Sequence, residues 1–339
     1  AHMNIFIEGP HWTGMWTEII ANALRELGHQ VDYSYHNRKT ALDRLTLAVL
    51  SLRSDSDRSH NWQQRQQQRL KDTLRNRRID ILLSIQGNID RHTASELREH
   101  LPNLGIIYWW GDILTGKAHT RLREAACFAD RILVSYLGSY QALQPTYGDQ
   151  LQYFPFGASE TFHTPGTISA RDRKRFSKAV AFVGTYYPER CALIRHLNQH
   201  LETPVAVWGR GWRKCHGVKH RGALSLADSL KVFHCSKMSI NLHHVNTPNG
   251  FNMKYFEIPA AGGFQLCDWQ PLMTAPGTEQ AGVACHSPDE FARQIDFYLG
   301  HEQQRQEFSQ ASQASVLATS RYRPRLATLL QELTTGNTA

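Results

Sequence analysis

The stretch Ala181-Phe182-Val183-Gly184-Thr185-Tyr186-Tyr187-Pro188-Glu189-Arg190 decides how this chain is read. Three apolar residues run into a glycine, a polar turn follows, and Pro188 stands where a helix would begin. A short apolar run closed by turn residues reads as a buried strand. Proline suits the first helical position, because its missing N–H has no intrahelical partner there anyway. Strand, turn and helix in this order form the repeating unit of a parallel sheet. A glycine at the turn lets a backbone or a phosphate come close. The helix N-terminus offers unpaired N–H groups and a positive dipole end, which suit a phosphate, and Arg190 can add a two-pronged contact. One glycine is a weak signal, so an ordinary strand–helix turn with a surface arginine fits the spacing equally well.

The same alternation extends on both sides. Downstream, strands are expected over 179–183, 205–208, 239–242 and 264–267, with helices over 189–200, 226–234, 253–261 and 288–299. Upstream, strands fall over 4–8, 31–35, 79–85, 105–109 and 132–134, with helices over 16–27, 63–75, 93–99 and 117–128. Strands alternating with helices imply parallel sheets covered on both faces, with right-handed crossovers. Between the two series, Pro155, Gly157, Pro165 and Gly166 punctuate a segment that ends in the charge cluster 171–175, which reads as a linker. The expected organisation is a first Rossmann-like domain over 3–155, a linker over 156–178, a second Rossmann-like domain over 179–320 and a terminal helix over 321–335.

Composition agrees with two soluble domains. The chain has 339 residues, 41% hydrophobic and 20% charged, which is ample for sizeable cores. No apolar stretch approaches the ~18 residues of a membrane-spanning helix, and no secretory signal pattern stands at the N-terminus. Ala1-His2 ahead of Met3 reads as a cloning remnant. Lys plus Arg exceed Asp plus Glu by 38 to 30, a net +8, which favours acidic partners such as nucleotides, nucleic acid, anionic lipid or anionic glycan. The six cysteines form no C-x-x-C pair and read as free thiols in a reducing compartment. Their spacing to histidine fits no zinc pattern, so no metal is expected. Residues 38–78 make a long crossover rich in Arg, Gln and Ser, with 51–59 polar enough for a mobile loop. It is either a solvated helix plus loop or an acceptor-binding insertion.

Ligands of open parallel sheets bind outside the carboxyl ends of the strands, so the turns there hold the candidates. After the first strand of the second half come Gly184, Thr185, Tyr186, Tyr187 and Arg190. After the next come Trp208, Gly209, Arg210, Gly211 and Trp212, where glycines open the turn and the indoles offer faces for a nucleobase or for packing at a domain edge. Asn249, Asn252, Lys254 and Glu257 form a third group. Asn252 suits an N-cap. Lys254 and Glu257 lie three apart on one helix face, either as a surface ion pair or as a phosphate cation beside a ribose acceptor. In the first half, His11 and Asp112 follow strands and are candidates for the base that takes an acceptor's hydroxyl proton.

Together the segments 182–190, 207–212, 239–243 and 251–264, with the trailing 287–301, resemble the CgeB-like glycosyltransferases, the spore maturation protein type. The resemblance covers most of 179–325 and is looser upstream, where it rests on Gly28-His29-Gln30-Val31 and on 108–112. It implies a GT-B architecture of two Rossmann-like domains facing across a cleft, the second holding a nucleotide sugar, and a last helix crossing back to the first. It implies Glu257 as the ribose ligand. Retaining members commonly carry a second glutamate eight positions earlier. Here that position is Asn249, a departure that leaves the stereochemical outcome open. Lys254 stands where many members have arginine.

The expected function is transfer of a sugar from a nucleotide-diphosphate donor, UDP- or dTDP-linked, to a hydroxyl-bearing acceptor. Departure of the diphosphate leaves negative charge there. Arg190, Lys254 and the helix N-terminus would stabilise it where it develops, with no metal and no further cofactor. The acceptor is a glycan, glycolipid, protein or nucleic acid, and the expected location is cytoplasmic, including the inner membrane face. Two rival readings are a DNA glycosyltransferase acting on modified bases and a nucleotide-sugar-binding module without turnover.

Overall fold

The computed structural model describes residues 2–40, 43, 55–278 and 280–336. The chain divides into two compact units: Ala1–Phe154 together with Leu326–Ala339, and Pro155–Arg325.

The first unit is built on β1 (Asn4–Gly9), β2 (Gln30–Tyr35), β3 (Ile81–Ile85), β4 (Gly105–Trp110), β5 (Arg131–Val134) and β6 (Leu151–Tyr153). All pairings are parallel and the order is β2-β1-β3-β4-β5-β6. Every residue of β3 is buried, as a strand covered by helices on both faces requires. The covering helices are α1 (Trp16–Glu26), α2 (Asp55–Leu74), α3 (Arg91–His100), α4 (Gly116–Ala126) and α5 (Leu137–Tyr147). Their starts are fixed locally: Asp90 accepts from the Thr93 N–H at 2.8 Å, and Thr115 caps α4. Helix α2 already begins at Asp55, so 55–59 is helical where the polar composition suggested a loop. Residues 41–42 and 44–54 of the 38–78 segment lie outside the described residues.

In the second unit, α6 (Glu160–His163) and α7 (Ala170–Phe176) precede the sheet. A capping box between Ser169 and Asp172 starts α7, and Phe176 at its end is fully buried. The sheet comprises β7 (Val180–Val183), β8 (Ala206–Trp208), β9 (Met238–Asn241), β10 (Gln265–Asp268) and β11 (Val283–Cys285). It is parallel throughout, in the order β11-β10-β9-β7-β8. Helices α8 (Pro188–His200), α9 (Leu226–Cys235), α10 (Lys254–Ala260), α11 (Pro288–Gly300) and α12 (Glu302–Thr319) follow in chain order. The last helix, α13 (Tyr322–Gly336), begins in the second unit, and from Leu326 onward its residues group with the first.

Both sheets reverse direction of growth once, and the reversal positions the site. In the first, the chain goes from β1 to edge strand β2 and returns to β3 on the other side of β1. In the second it goes from β7 to β8 and returns to β9. At such a switch point the two following loops leave in opposite directions and open a crevice at the carboxyl ends of the strands. The crevices therefore lie outside β1/β3 and outside β7/β9.

Candidate functional site

The turn after β7 is held by backbone. The Gly184 N–H donates to Trp208 O at 2.9 Å and the Tyr186 N–H to Arg210 O at 2.8 Å. The Trp212 indole N–H donates to Gly184 O at 2.7 Å. The turn after β8 thereby lies directly on the turn after β7. Gly209 has φ 146°, and a Cβ there would stand 1.8 Å from Gly184 O, so no other residue fits. Trp208 and Trp212 are 3% and 1% exposed, and Arg221 covers the Trp208 ring at 5.6 Å. The expectation that these indoles offer a free face to a nucleobase is thus corrected: both belong to the core. The exposed ring of this turn is Tyr187, with Thr185 exposed beside it and Tyr186 half-buried against Trp212.

Helix α8 starts with Pro188 at its first turn. Arg190 reaches across the crevice, donating to Thr185 O at 2.9 Å and to Leu242 O at 3.1 Å, and its guanidinium lies 4.8 Å from the Tyr187 ring centroid. Glu189 shares that first turn and partly offsets the dipole, so cationic side chains carry more of any anion's stabilisation than the helix does.

On the other side, Asn252 caps α10 by accepting the Tyr255 N–H at 3.1 Å. Its amide exchanges two bonds of 3.0 Å with Asn241, which also donates to Gln265 at 2.8 Å. This amide network joins β9, β10 and the start of α10. Asn249 has φ 34°, and its Oδ1 accepts the Leu272 N–H at 2.7 Å, so its amide oxygen is engaged in holding the 271–274 turn.

Lys254 and Glu257 stand in the first turn of α10. Burial pushes the Glu257 carboxyl above its usual range, and Lys254 opposes that rise. Burial pulls the Lys254 ammonium down, which Glu257 opposes and Arg190 reinforces. Neither side chain makes a hydrogen bond or a close ion pair among the described residues. Glu257 is only 6% exposed. A sunken charged pair that does not close on itself is costly to keep, a pattern that clusters at functional sites. The two charges lie three residues apart at the helix start and feel each other, with Arg190 adding a second cation. This arrangement can take a ligand that presents hydroxyls to the carboxylate and an anion to the two cations.

In the first unit, His11 lies two residues beyond β1, at the switch point. Its N–H donates to Asn37 Oδ1 at 2.7 Å, and its exposed ring meets Tyr35 edge-on at 4.8 Å. Asp112 lies two residues beyond β4, exposed, with Oδ1 accepting the Ile113 N–H at 2.8 Å. Strands β1 and β4 are two positions apart in the sheet, with β3 between them.

Sequence reasoning missed three features. The buried Glu8 accepts the Ser84 hydroxyl at 2.7 Å, between the ends of β1 and β3. His243 and Asp268 pair at the ends of β9 and β10. Cys191 and Cys215, read as free thiols, form a disulfide with Cα atoms 5.8 Å apart, while Cys127, Cys235, Cys267 and Cys285 are free. The two bonded cysteines are 24 residues apart with no motif around them, so only the fold brings them together.

Solved structures similar to this chain match it over nearly its whole length. Sucrose-phosphate synthase from Thermosynechococcus elongatus superposes with a TM-score of 0.68 at 12% identity, over 99% of this chain and all of that one. Anabaena HepE, solved in complex with UDP and glucose, gives 0.64 at 13% identity, over 98% of this chain and all of that one. The fold is GT-B. A glycosyltransferase from Rickettsia africae gives 0.64 at 11% identity, over 97% of each chain. Residues 190–331 match the family model described as glycosyl transferase-like. No curated protein matches the sequence. The family match starts at Arg190 and takes in Lys254 and Glu257. No described helix is long and apolar enough to cross a membrane, and the described residues hold no group of three or more His, Cys, Asp or Glu placed to bind a metal ion.

Proposed function

We propose that this protein is a glycosyltransferase of the CgeB-like type that takes a nucleotide-diphosphate sugar, a UDP-sugar first, and moves the sugar to an acceptor hydroxyl. The observation that carries the reading is the Arg190–Lys254–Glu257 cluster at the β7/β9 switch point, two cations and a carboxylate that feel one another's charge while Lys254 and Glu257 form no hydrogen bond or close ion pair among the described residues. Glu257 accepts both ribose hydroxyls. Arg190 and Lys254 hold the diphosphate beside the close turn at Gly184 and Thr185. As the bond from sugar to diphosphate breaks, negative charge grows on the leaving oxygens, and fixed cations in a poorly hydrated site stabilise it without reorganising. No metal is needed for that charge. HepE, a protein of the same fold, is solved with UDP-glucose bound, which supports UDP as the first donor to try. The first unit supplies the base, His11 or Asp112, that takes the acceptor's proton.

The test is a thermal-shift panel of UDP-, dTDP-, GDP- and ADP-sugars. A ligand at about 100 times its Kd stabilises by roughly 2.7 kcal/mol, well within detection. Stabilisation by one nucleotide class, lost in Glu257→Ala, is expected. No response to any nucleotide sugar would overturn the proposal. Binding without release of free nucleoside diphosphate from any acceptor would leave a binding module instead.

A further inference from the structure

Asp268 closes β10, and its Oδ1 accepts two bonds from one residue of the neighbouring strand end: the His243 backbone N–H at 2.8 Å and the His243 Nδ1 at 2.9 Å. Its other oxygen accepts from Gln270 Nε2 at 3.0 Å. The imidazole is buried beside the stacked rings of Phe251 and Tyr255, tilted to both at centroid distances of 6.2 and 6.5 Å. With main chain and side chain of His243 on one carboxylate oxygen, the Leu242–His243 peptide plane has no freedom to rotate. The carbonyl of that same peptide, Leu242 O, is where two groups of the proposed donor site dock: Arg190 Nη2 at 3.1 Å and Asn252 Nδ2 at 3.2 Å. Asn252 in turn caps the helix that begins with Lys254.

Resting on the donor-site reading above, we infer that Asp268 and His243 are positioning residues for the diphosphate: their two hydrogen bonds fix the Leu242 carbonyl, and that carbonyl aims Arg190 and seats the Asn252 cap behind Lys254. Neither acts on the substrate. The His243 Nε2 is enclosed and bonded to nothing among the described residues, so this ring works through its Nδ1 and its backbone. Burial alone would raise the Asp268 carboxyl, but the bonds from His243 and Gln270 outweigh it and hold it below its usual range. Asp268 therefore stays an acceptor through the neutral range.

The consequence is selective. Loosening this carbonyl disturbs the two phosphate cations and leaves the turns after β7 and β8 untouched, because those are held by Gly184, Trp208, Arg210 and Trp212. The experiment is calorimetric titration of full-length protein with UDP and with uridine, in wild type, Asp268→Ala and Asp268→Asn, with thermal melts alongside. Asp268→Ala should weaken UDP about tenfold, the usual scale for removing an outer partner that orients a binding group, with uridine changed less than about twofold. Asp268→Asn, which keeps an acceptor oxygen of the same shape, should restore most of the UDP affinity. His243→Phe, which keeps ring packing and the backbone bond, should fall between. Equal loss for UDP and uridine, or no loss for either in a folded Asp268→Ala, overturns the positioning role. Wild type that binds no UDP overturns the donor-site reading with it.

Discussion

The Cys191–Cys215 bond gives the sharpest quantitative prediction, because its contribution follows from where the two residues stand in the chain. It joins the first turn of α8, one residue after Arg190, to the end of the turn that carries Gly209 and Trp212. The two cysteines are 24 residues apart. In the chain-entropy description, closing a loop of that length removes about 11.6 cal/mol/K from the unfolded ensemble, or about 3.4 kcal/mol at 25 °C. The unit that holds it runs from Pro155 to Arg325. For a domain of that size each kcal/mol moves Tm by about 2–4 °C, so the reduced protein should melt about 7–14 °C lower. The clean comparison uses one sequence: protein unfolded and refolded with and without a phosphine reductant, followed by melting. Wild type against itself avoids any cavity from substitution at two buried positions, 8% and 3% exposed. Thiol titration of the unfolded, unreduced chain should count the four free cysteines, rising to all six after reduction. Six reactive thiols before reduction, or a Tm change under about 2 °C after it, would refute the reasoning.

Four further outcomes are expected. Glu257→Gln removes the buried carboxylate's charge, so the apo protein should be at least as stable while UDP affinity falls by about 1–3 kcal/mol, the scale of a lost charge-assisted pair of bonds, read by calorimetry. In wild type, UDP affinity should decline as pH falls through the raised Glu257 carboxyl range, that is from above 4.5, because the protonated group no longer accepts both hydroxyls; a flat profile down to pH 4.5 contradicts the ribose role. His163 is buried with its pKa lowered from 6.5 to about 4, so its neutral form is favoured by folding: the second unit keeps that contribution above pH 6.5 and loses about 3 kcal/mol by pH 4, which His163→Gln should flatten in a denaturant series. Finally, His11→Ala and Asp112→Asn are compared for kcat at saturating donor; the base is the one whose loss lowers kcat with donor affinity intact, and unchanged kcat in both removes the base from these positions.

Much of the architecture is legible in the residues alone. An apolar run such as Ile81–Ile85, interrupted only by Ser84, reads as covered on both faces, and runs of that kind separated by amphipathic segments admit little but parallel sheets with helical crossovers. Short strands such as Leu151–Tyr153 and Val283–Cys285 carry too few residues for periodicity to register, and they exist because a neighbour supplies the ladder. Helix α12 is rich in Gln, Glu and Ser, and its fewer apolar residues form no continuous stripe to read.

The site divides the same way. Gly184, Pro188, Arg190, Lys254 and Glu257 are local signals: a glycine where a strand ends, a proline where a helix begins, charges spaced for one helix face. Their meaning is not local. Whether Lys254 and Glu257 are a solvated pair or a sunken, unclosed one depends on burial, which is a property of everything packed around α10. Whether Trp208 is a platform or core depends on the turn across from it. The pairing of His243 with Asp268, and of Cys191 with Cys215, links residues 24 to 25 positions apart. Sequence determined the elements, because propensity and periodicity act over a few residues. The tertiary structure decided which charges are buried, which rings face solvent and which cysteines meet, because desolvation and long-range contact exist only once the sheets are assembled.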